Sequence, residues 1–253
     1  MTPGSGITVR RVTQTTAEGS PKETPRCLIL TEDRFLERLV DLLLDHGEYV
    51  RKRMSDAPEA ERAIDEWRPH LAILDIDIDG GKGIDLVTSW KKRGFRLPII
   101  GLTRRNTIQA RLGAFERGID DLLVVPFPPE ELVARALGVM RRVHGRDVAF
   151  IPAIAVGSLE IDLLHQRLRA DGHELELTPI EKALLYILAA NAGETMTRDQ
   201  LLDYIWGFDR DVGSNLIDRH VADLRAKLGD DRREPRFIET RPGAGYRYVG
   251  GRA

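Results

Sequence analysis

The sequence predicts two unlike domains in one chain: an α/β doubly wound five-stranded parallel sheet, then a smaller α+β unit. Three observations carry that prediction. Short apolar runs alternate with amphipathic stretches from Cys27 to about Arg141, the alternation then stops, and the remainder offers short strands, three helical stretches and a terminal hairpin. A length of 253 residues suits two domains of ordinary size.

Residues 1–25 are rich in Thr, Ser, Gly and Pro without periodicity, and are expected to form a disordered tail. The strands of the first domain (26–142) are expected at CLIL (27–30), LAIL (71–74), LPIIGL (97–102) and LLVV (122–125), with a weaker one near Tyr49 and Val50. Helical stretches separate them; from Phe35 to His46, for example, Leu36, Leu39, Val40, Leu43 and Leu44 recur at helical spacing. Strands alternating with helices in this way build a parallel sheet covered on both faces.

RRVHGRDVAFIPA reads as a helix end running into a linker (143–153), and the second domain spans 154–253. Its strands are expected around AVGSLEID, QRLRA and HELEL, and its hairpin at FIETRPGAGYRYVG. Thr178-Pro-Ile-Glu181 and Thr197-Arg-Asp-Gln200 each fit a capping box, which marks two helix starts.

Composition is that of an ordinary globular protein, 42% hydrophobic and 31% charged with a formal net charge of -2. A single cysteine, Cys27, excludes an internal disulfide; no apolar run is long enough to span a membrane, and the first residues lack a signal-peptide core. A cytoplasmic location is expected.

Chemistry concentrates in LAILDIDIDGGKGIDL, residues 71–86. A calcium loop of the EF-hand type fits the opening Asp75-x-Asp77-x-Asp79-Gly80, but its twelfth position is Leu86 and it follows a strand. An aspartate-nucleophile phosphohydrolase also places Asp-x-Asp after a buried strand, and Asp120-Asp121 imitate its later acidic pair; a well-placed lysine and room for a cap are missing. Asp77 and Asp79 fit a strand end facing water. Asp75 ends its strand at the edge where open α/β sheets bind ligands, and Thr31-Glu32-Asp33, Thr103 and Val125-Pro126-Phe127 reach the same edge.

With those motifs in order, residues 27 to about 142 resemble a response-regulator receiver domain. LTPIEKALLYILAANAGETMTRDQLLDYIWG and the terminal GAGYRY resemble the winged-helix effector of the OmpR/PhoB family. The resemblance implies a sequence-specific DNA-binding transcription regulator and not an enzyme. It makes Asp75 the phosphoacceptor position and Thr103 the hydroxyl that meets the phosphoryl group.

The other receiver positions depart from the pattern. The acidic pair after the first strand is Thr31 and Glu32, so magnesium would be held only weakly, by Glu32, Asp33 and Asp75, and no cofactor is expected. The lysine position is Val125, which brings no charge, and the aromatic-switch position is Leu122. Arg104 follows Thr103 where a small residue is usual; its guanidinium either folds over Asp75 and its neighbours or points to solvent. These departures imply action independent of phosphorylation. The alternative is a conventional regulator phosphorylated on Asp75 by a histidine kinase.

The family resemblance further implies homodimers formed through the fourth helix, fifth strand and fifth helix, pairing Arg111 with Glu131 and Asp121 with Arg135. Charge in the second domain is local: nine Lys or Arg against six Asp or Glu from Gly213 onward, but fourteen against seventeen over residues 154–253. SNLIDRHVADLRAKLG is the expected recognition helix, with Leu216, Ile217, Val221, Leu224 and Leu228 as its core face. Asn215, Arg219, Ala222, Asp223 and Lys227 are expected to be exposed, with Arg225 and His220 at the flanks.

Arg219 is expected to read a guanine, Arg225 and Lys227 to meet phosphate, and His220 to pack partly or face phosphate. Asp223 would weaken phosphate contact or accept a cytosine amino group. Thr240 and Arg241 belong to the wing, where Pro242 replaces a usual arginine and Arg241 is expected to reach the DNA in its stead; Trp206 and Tyr246 read as core. WGFDRDVGS corresponds to the loop that meets RNA polymerase or DNA in this family, and the expected target is double-stranded DNA with tandem half-sites.

Overall fold

The apolar runs become strands. The computed structural model describes residues 9–11, 25–44, 49–144, 153–162, 167–207 and 215–250. The chain forms two compact units. In chain order the elements begin with β1 (Val9–Arg11), β2 (Arg26–Leu30), α1 (Arg34–Leu44), β3 (Val50–Met54) and α2 (Ala57–Trp67). They continue with β4 (Leu71–Asp75), α3 (Ile78–Lys92), β5 (Ile99–Thr103), α4 (Ile108–Glu116), β6 (Asp121–Val124) and α5 (Pro129–His144).

Strands β2 to β6 form a five-stranded parallel sheet in the order β3-β2-β4-β5-β6, a doubly wound topology. Side chains alternate across it. Leu28, Leu30, Ala72 and Leu74 pack with Ala60, Ile64, Val87 and Trp90 from α2 and α3. Cys27, Ile29 and Ile73 point the other way and are equally buried. Each such Leu or Ile contributes about 1.5–3 kcal/mol by leaving water.

Order 3-2-4-5-6 puts the carboxyl ends of β2, β4 and β5 side by side, so Thr31, Asp75 and Thr103 share one edge, all three buried. After β4 the chain turns through Asp79–Gly81, which are not helical, before α3 becomes regular. Gly83 then lies against the strand end: a Cβ there would stand 2.2 Å from the Asp75 carbonyl oxygen. Only glycine lets α3 approach so closely.

The C-terminal unit contains β7 (Ala153–Val156), β8 (Leu159–Asp162), β9 (Arg167–Ala170), β10 (His173–Glu174), α6 (Pro179–Ala190), β11 (Thr195–Met196) and α7 (Arg198–Trp206). It ends with α8 (Asn215–Leu228), β12 (Ile238–Arg241) and β13 (Gly245–Tyr248). Both capping boxes are formed, Thr178 with Glu181 and Thr197 with Gln200. Leu184, Leu188, Leu201, Ile217, Val221, Leu224, Phe237 and Tyr248 make its core. Leu216, expected in that core, is only half-buried because it flanks the inward face of α8.

Two features differ from expectation. Val9–Arg11, inside the segment read as a disordered tail, pairs antiparallel with β7 and turns the four-stranded β7–β10 meander into a five-stranded sheet. The physical reason is the open edge of β7, whose backbone groups need partners that a three-residue strand supplies. The terminal hairpin is also not alone, since β11 joins it in the order β11-β13-β12. Residues 145–152, most of the expected linker, lie outside the described residues. Among the described residues no helix is long and apolar enough to cross a membrane.

Candidate functional site

The receiver-like edge is built around one arginine. Arg104, the first residue after β5, donates from Nη1 to Asp75 Oδ2 and from Nη2 to Asp33 Oδ2, each at 3.1 Å. Its backbone N–H also donates to Asp77 Oδ2 at 3.1 Å. The guanidinium thus stands between the two carboxylates, with 29% of its side chain exposed against 8% of Asp75. A fork of this shape suits two carboxylates that would otherwise repel each other in a partly dry site.

Asp75 is tied on its other oxygen too, Oδ1 accepting the Asp77 N–H at 3.0 Å. Burial raises its carboxyl above the usual range, while the Asp77 N–H and Arg104 pull the other way. Asp33 faces the pocket although it sits one residue past the expected acidic pair. Its Oδ1 caps α1 through the Phe35 and Leu36 N–H groups, which turns Oδ2 toward Arg104. Thr31 accepts the Asp33 N–H, and Glu32 is exposed.

Thr103, the expected hydroxyl, donates to Asp77 Oδ2 at 2.7 Å, and Arg105 pairs with the other Asp77 oxygen at 3.2 Å. Asp77 is therefore part of the network rather than a carboxylate in water; the signal that could have found it is its two-residue offset from Asp75 at a strand end. Val125 and Leu122 are buried, Leu122 against Gly101 in the core. Among the described residues no three His, Cys, Asp or Glu side chains are grouped to hold a metal ion.

On the neighbouring face, Arg135 bonds Asp121 at 2.7 Å and Glu131 at 2.5 Å within one chain. The expected Asp121–Arg135 pair is thus already closed in a single copy. Arg111 is exposed, and beside it Ile108, Leu112 and Phe115 are exposed by 70%, 58% and 45%. At spacings of four and three they form a stripe along α4.

In the C-terminal unit the expected contacts are sorted by what already holds them. Arg225, expected at phosphate, is buried: it donates to the Ile238 carbonyl (Nη2, 2.5 Å) and to Thr240 Oγ1 (2.9 Å). Burial lowers its pKa, with the Asp230 carboxylate 4.0 Å away opposing that fall. Lys227, also expected at phosphate, gives its ammonium to Glu181 of the α6 capping box at 2.6 Å. The burial of Arg225 is a correction, because α8 packs against β12, whose acceptors lie far away in sequence; Lys227 stays exposed as expected, its ammonium resting on α6.

Arg219 and Asn215 are exposed, while His220 is half-buried and tilts against Trp206 with ring centroids 5.6 Å apart. Tyr246 is buried, its hydroxyl donating to Asp218 at 2.7 Å, and Arg198 bonds the same carboxylate at 2.6 Å. These bonds brace α7, α8 and the hairpin. Asp230, unmarked by the sequence reading, accepts the N–H groups of Arg236, Phe237 and Ile238 and so fixes the entry to β12. At the hairpin, Arg241 is exposed and pairs with Glu239 at 3.3 Å. Gly245 has φ 141°, and a Cβ there would meet the Met196 carbonyl oxygen at 2.0 Å. Residues 208–214, most of the WGFDRDVGS segment, lie outside the described residues.

Residues 27–137 match the response regulator receiver domain, and residues 172–248 match the C-terminal domain of transcriptional regulatory proteins. The chain is 33% identical to the DNA-binding response regulator MtrA of Mycolicibacterium smegmatis over 223 residues, 88% of this chain and 96% of that protein. This chain belongs to the OmpR/PhoB family of DNA-binding response regulators. The transcriptional regulatory protein PrrA of Mycobacterium leprae is 32% identical over 88% of this chain and 95% of its own. The crystal structure of DrrB, a Thermotoga maritima OmpR/PhoB homologue, is 27% identical, covers 90% of this chain and 100% of its own, and gives a TM-score of 0.42.

Proposed function

We propose that this family member is a sequence-specific transcription regulator whose receiver acts without phosphorylation, as a homodimer on tandem half-sites. The observation that carries this reading is the Arg104 clasp, a guanidinium placed between Asp33 and Asp75. In a working receiver the acidic pair after the first strand and the acceptor aspartate hold magnesium; here a fixed positive charge already satisfies Asp75 and Asp33, Thr31 removes one acid of that pair, and Val125 brings no ammonium. The donor set does not fit a divalent cation. Thr103 is engaged by Asp77, 2.7 Å away, instead of being free for a phosphoryl oxygen.

The dimer reading rests on the α4 stripe of Ile108, Leu112 and Phe115, which leaves apolar surface in water beside the Asp121–Arg135–Glu131 charge cluster. Pairing two copies across α4, β6 and α5 would cover it, and the charges would set register. DNA contact is assigned to Arg219 for base reading, with Asn215 and Arg241 beside it, and RNA polymerase is a further partner. No enzymatic step is assigned to Asp75.

Incubation with a small acyl phosphate, with Asp75→Asn as control, tests the first part. The expected result is no stable aspartyl phosphate in the wild type and the same DNA affinity with or without the reagent. A labelled Asp75 that tightens DNA binding would make the chain a conventional regulator driven by a histidine kinase. For the dimer, Arg135→Glu is expected to move sedimentation mass toward monomer and to weaken binding to paired half-sites. Unchanged mass would leave those charges as an intramolecular cluster.

A further inference from the structure

Helix α8 turns Ile217, Val221, Leu224 and Leu228 inward, and leaves Asn215, Arg219, Ala222, Asp223 and Ala226 exposed on one continuous face. Its other charges are committed. Asp218 is held by Arg198 and Tyr246, Arg225 is buried on the Ile238 carbonyl, and Lys227 is paired with Glu181. Among the described residues neither Arg219 nor Asp223 has a hydrogen-bond or ion-pair partner. The exposed face therefore presents one unpaired cation and one unpaired carboxylate, a helical turn apart, with the methyl groups of Ala222 and Ala226 beside them.

A carboxylate on a DNA-facing helix is costly, because it meets the field of the phosphates at every sequence. That cost is offset only where a hydrogen-bond donor faces it. In the major groove the donors are the amino groups of cytosine and adenine. Adenine sets its N7 acceptor beside the amino group, which suits an amide and repels a carboxylate; cytosine has no such acceptor there. We propose that Asp223 selects a cytosine amino group on a base pair next to, or one removed from, the guanine read by Arg219. The inference rests on the DNA-binding reading of α8 given above.

The spacing is compatible with that. Four residues advance about 6 Å along a helix, against about 3.4 Å per base step. Ala222 and Ala226 keep the face low, so that the short aspartate side chain reaches the base edges. Asp223 then trades affinity for selectivity: it repels DNA in general and is tolerated at one base.

Selection from a randomised DNA pool with the full-length chain, alongside Arg219→Ala, Asp223→Ala and Asp223→Asn, tests the proposal. The wild type is expected to prefer cytosine by about tenfold or more at one position, within two base pairs of the guanine whose preference is lost in Arg219→Ala. Asp223→Ala is expected to lose the cytosine preference, keep the guanine, and bind unrelated DNA more tightly. Asp223→Asn is expected to shift that position toward adenine. Identical preferences in the wild type and Asp223→Ala would overturn the proposal and make Asp223 a solvated charge. A wild type with no preference at any position would instead overturn the sequence-reading role of α8 itself.

Discussion

The two halves of the chain use arginine in opposite ways. At the receiver edge Arg104, free by position to point into solvent, folds inward and ties Asp33 to Asp75. In the effector Arg225, expected to point outward at phosphate, is buried and holds α8 to β12. The inward Arg104 ties two carboxylates together; the inward Arg225 fixes the helix on which Arg219 is exposed. An arginine's role in this protein follows from which acceptors its element packs against.

The largest expected break in that comparison is Arg225→Ala. It leaves the Ile238 carbonyl without a buried donor and opens space under the hairpin, so the effector should lose about 3 kcal/mol in urea unfolding. The salt dependence of DNA binding by the folded fraction should not change. A drop in the salt slope without loss of stability would return Arg225 to phosphate contact.

Next in size is Arg104→Ala, expected to destabilise the receiver by about 2 kcal/mol near neutral pH, because two carboxylates lose their shared counter-charge. Burial already raises the Asp75 carboxyl in the folded state. A raised folded pKa means that the ionised group disfavours folding above its usual range, and that acidification removes the penalty. Taking away Arg104 raises that carboxyl further. The cost of the substitution should therefore shrink as pH falls through the raised carboxyl range. A cost that stays constant with pH would show that Arg104 matters through packing and not through charge.

The order of difficulty in reading these elements from sequence is physical. CLIL, LAIL and LPIIGL were legible because both faces of a parallel sheet are buried and the strands are apolar throughout; the capping boxes were legible because their partners lie three residues apart. Val9–Arg11 and Thr195–Met196 are too short to carry a periodic signal, and each exists only because a neighbouring strand edge is open. Asp75 and Thr103 can be placed by their strand ends, whereas Asp77 has only its two-residue offset from Asp75 to mark it, since its partners Thr103 and Arg104 lie 26 and 27 residues away. The burial of Arg225 and the Glu181 partner of Lys227 escape the sequence for the same reason: helix periodicity says which side of α8 they occupy, not what waits there.

Lys227 gives the smallest and most discriminating test. Its partner Glu181 is buried at 4% exposure and opens α6. Burial would raise the Glu181 carboxyl, but Lys227 and the Thr178 N–H outweigh it and hold the group below its usual range. A depressed folded pKa contributes stability above the ordinary carboxylate range and loses it as pH falls. Lys227→Ala should cost about 0.5–1 kcal/mol near neutral pH, and should flatten the loss of effector stability on acidification. If the ammonium belongs to Glu181, the salt slope of DNA binding stays within experimental error of the wild type. A slope reduced by about one would mean that Lys227 leaves Glu181 for a phosphate when DNA arrives, and the capping box would then be a coupling point between DNA contact and the start of α6.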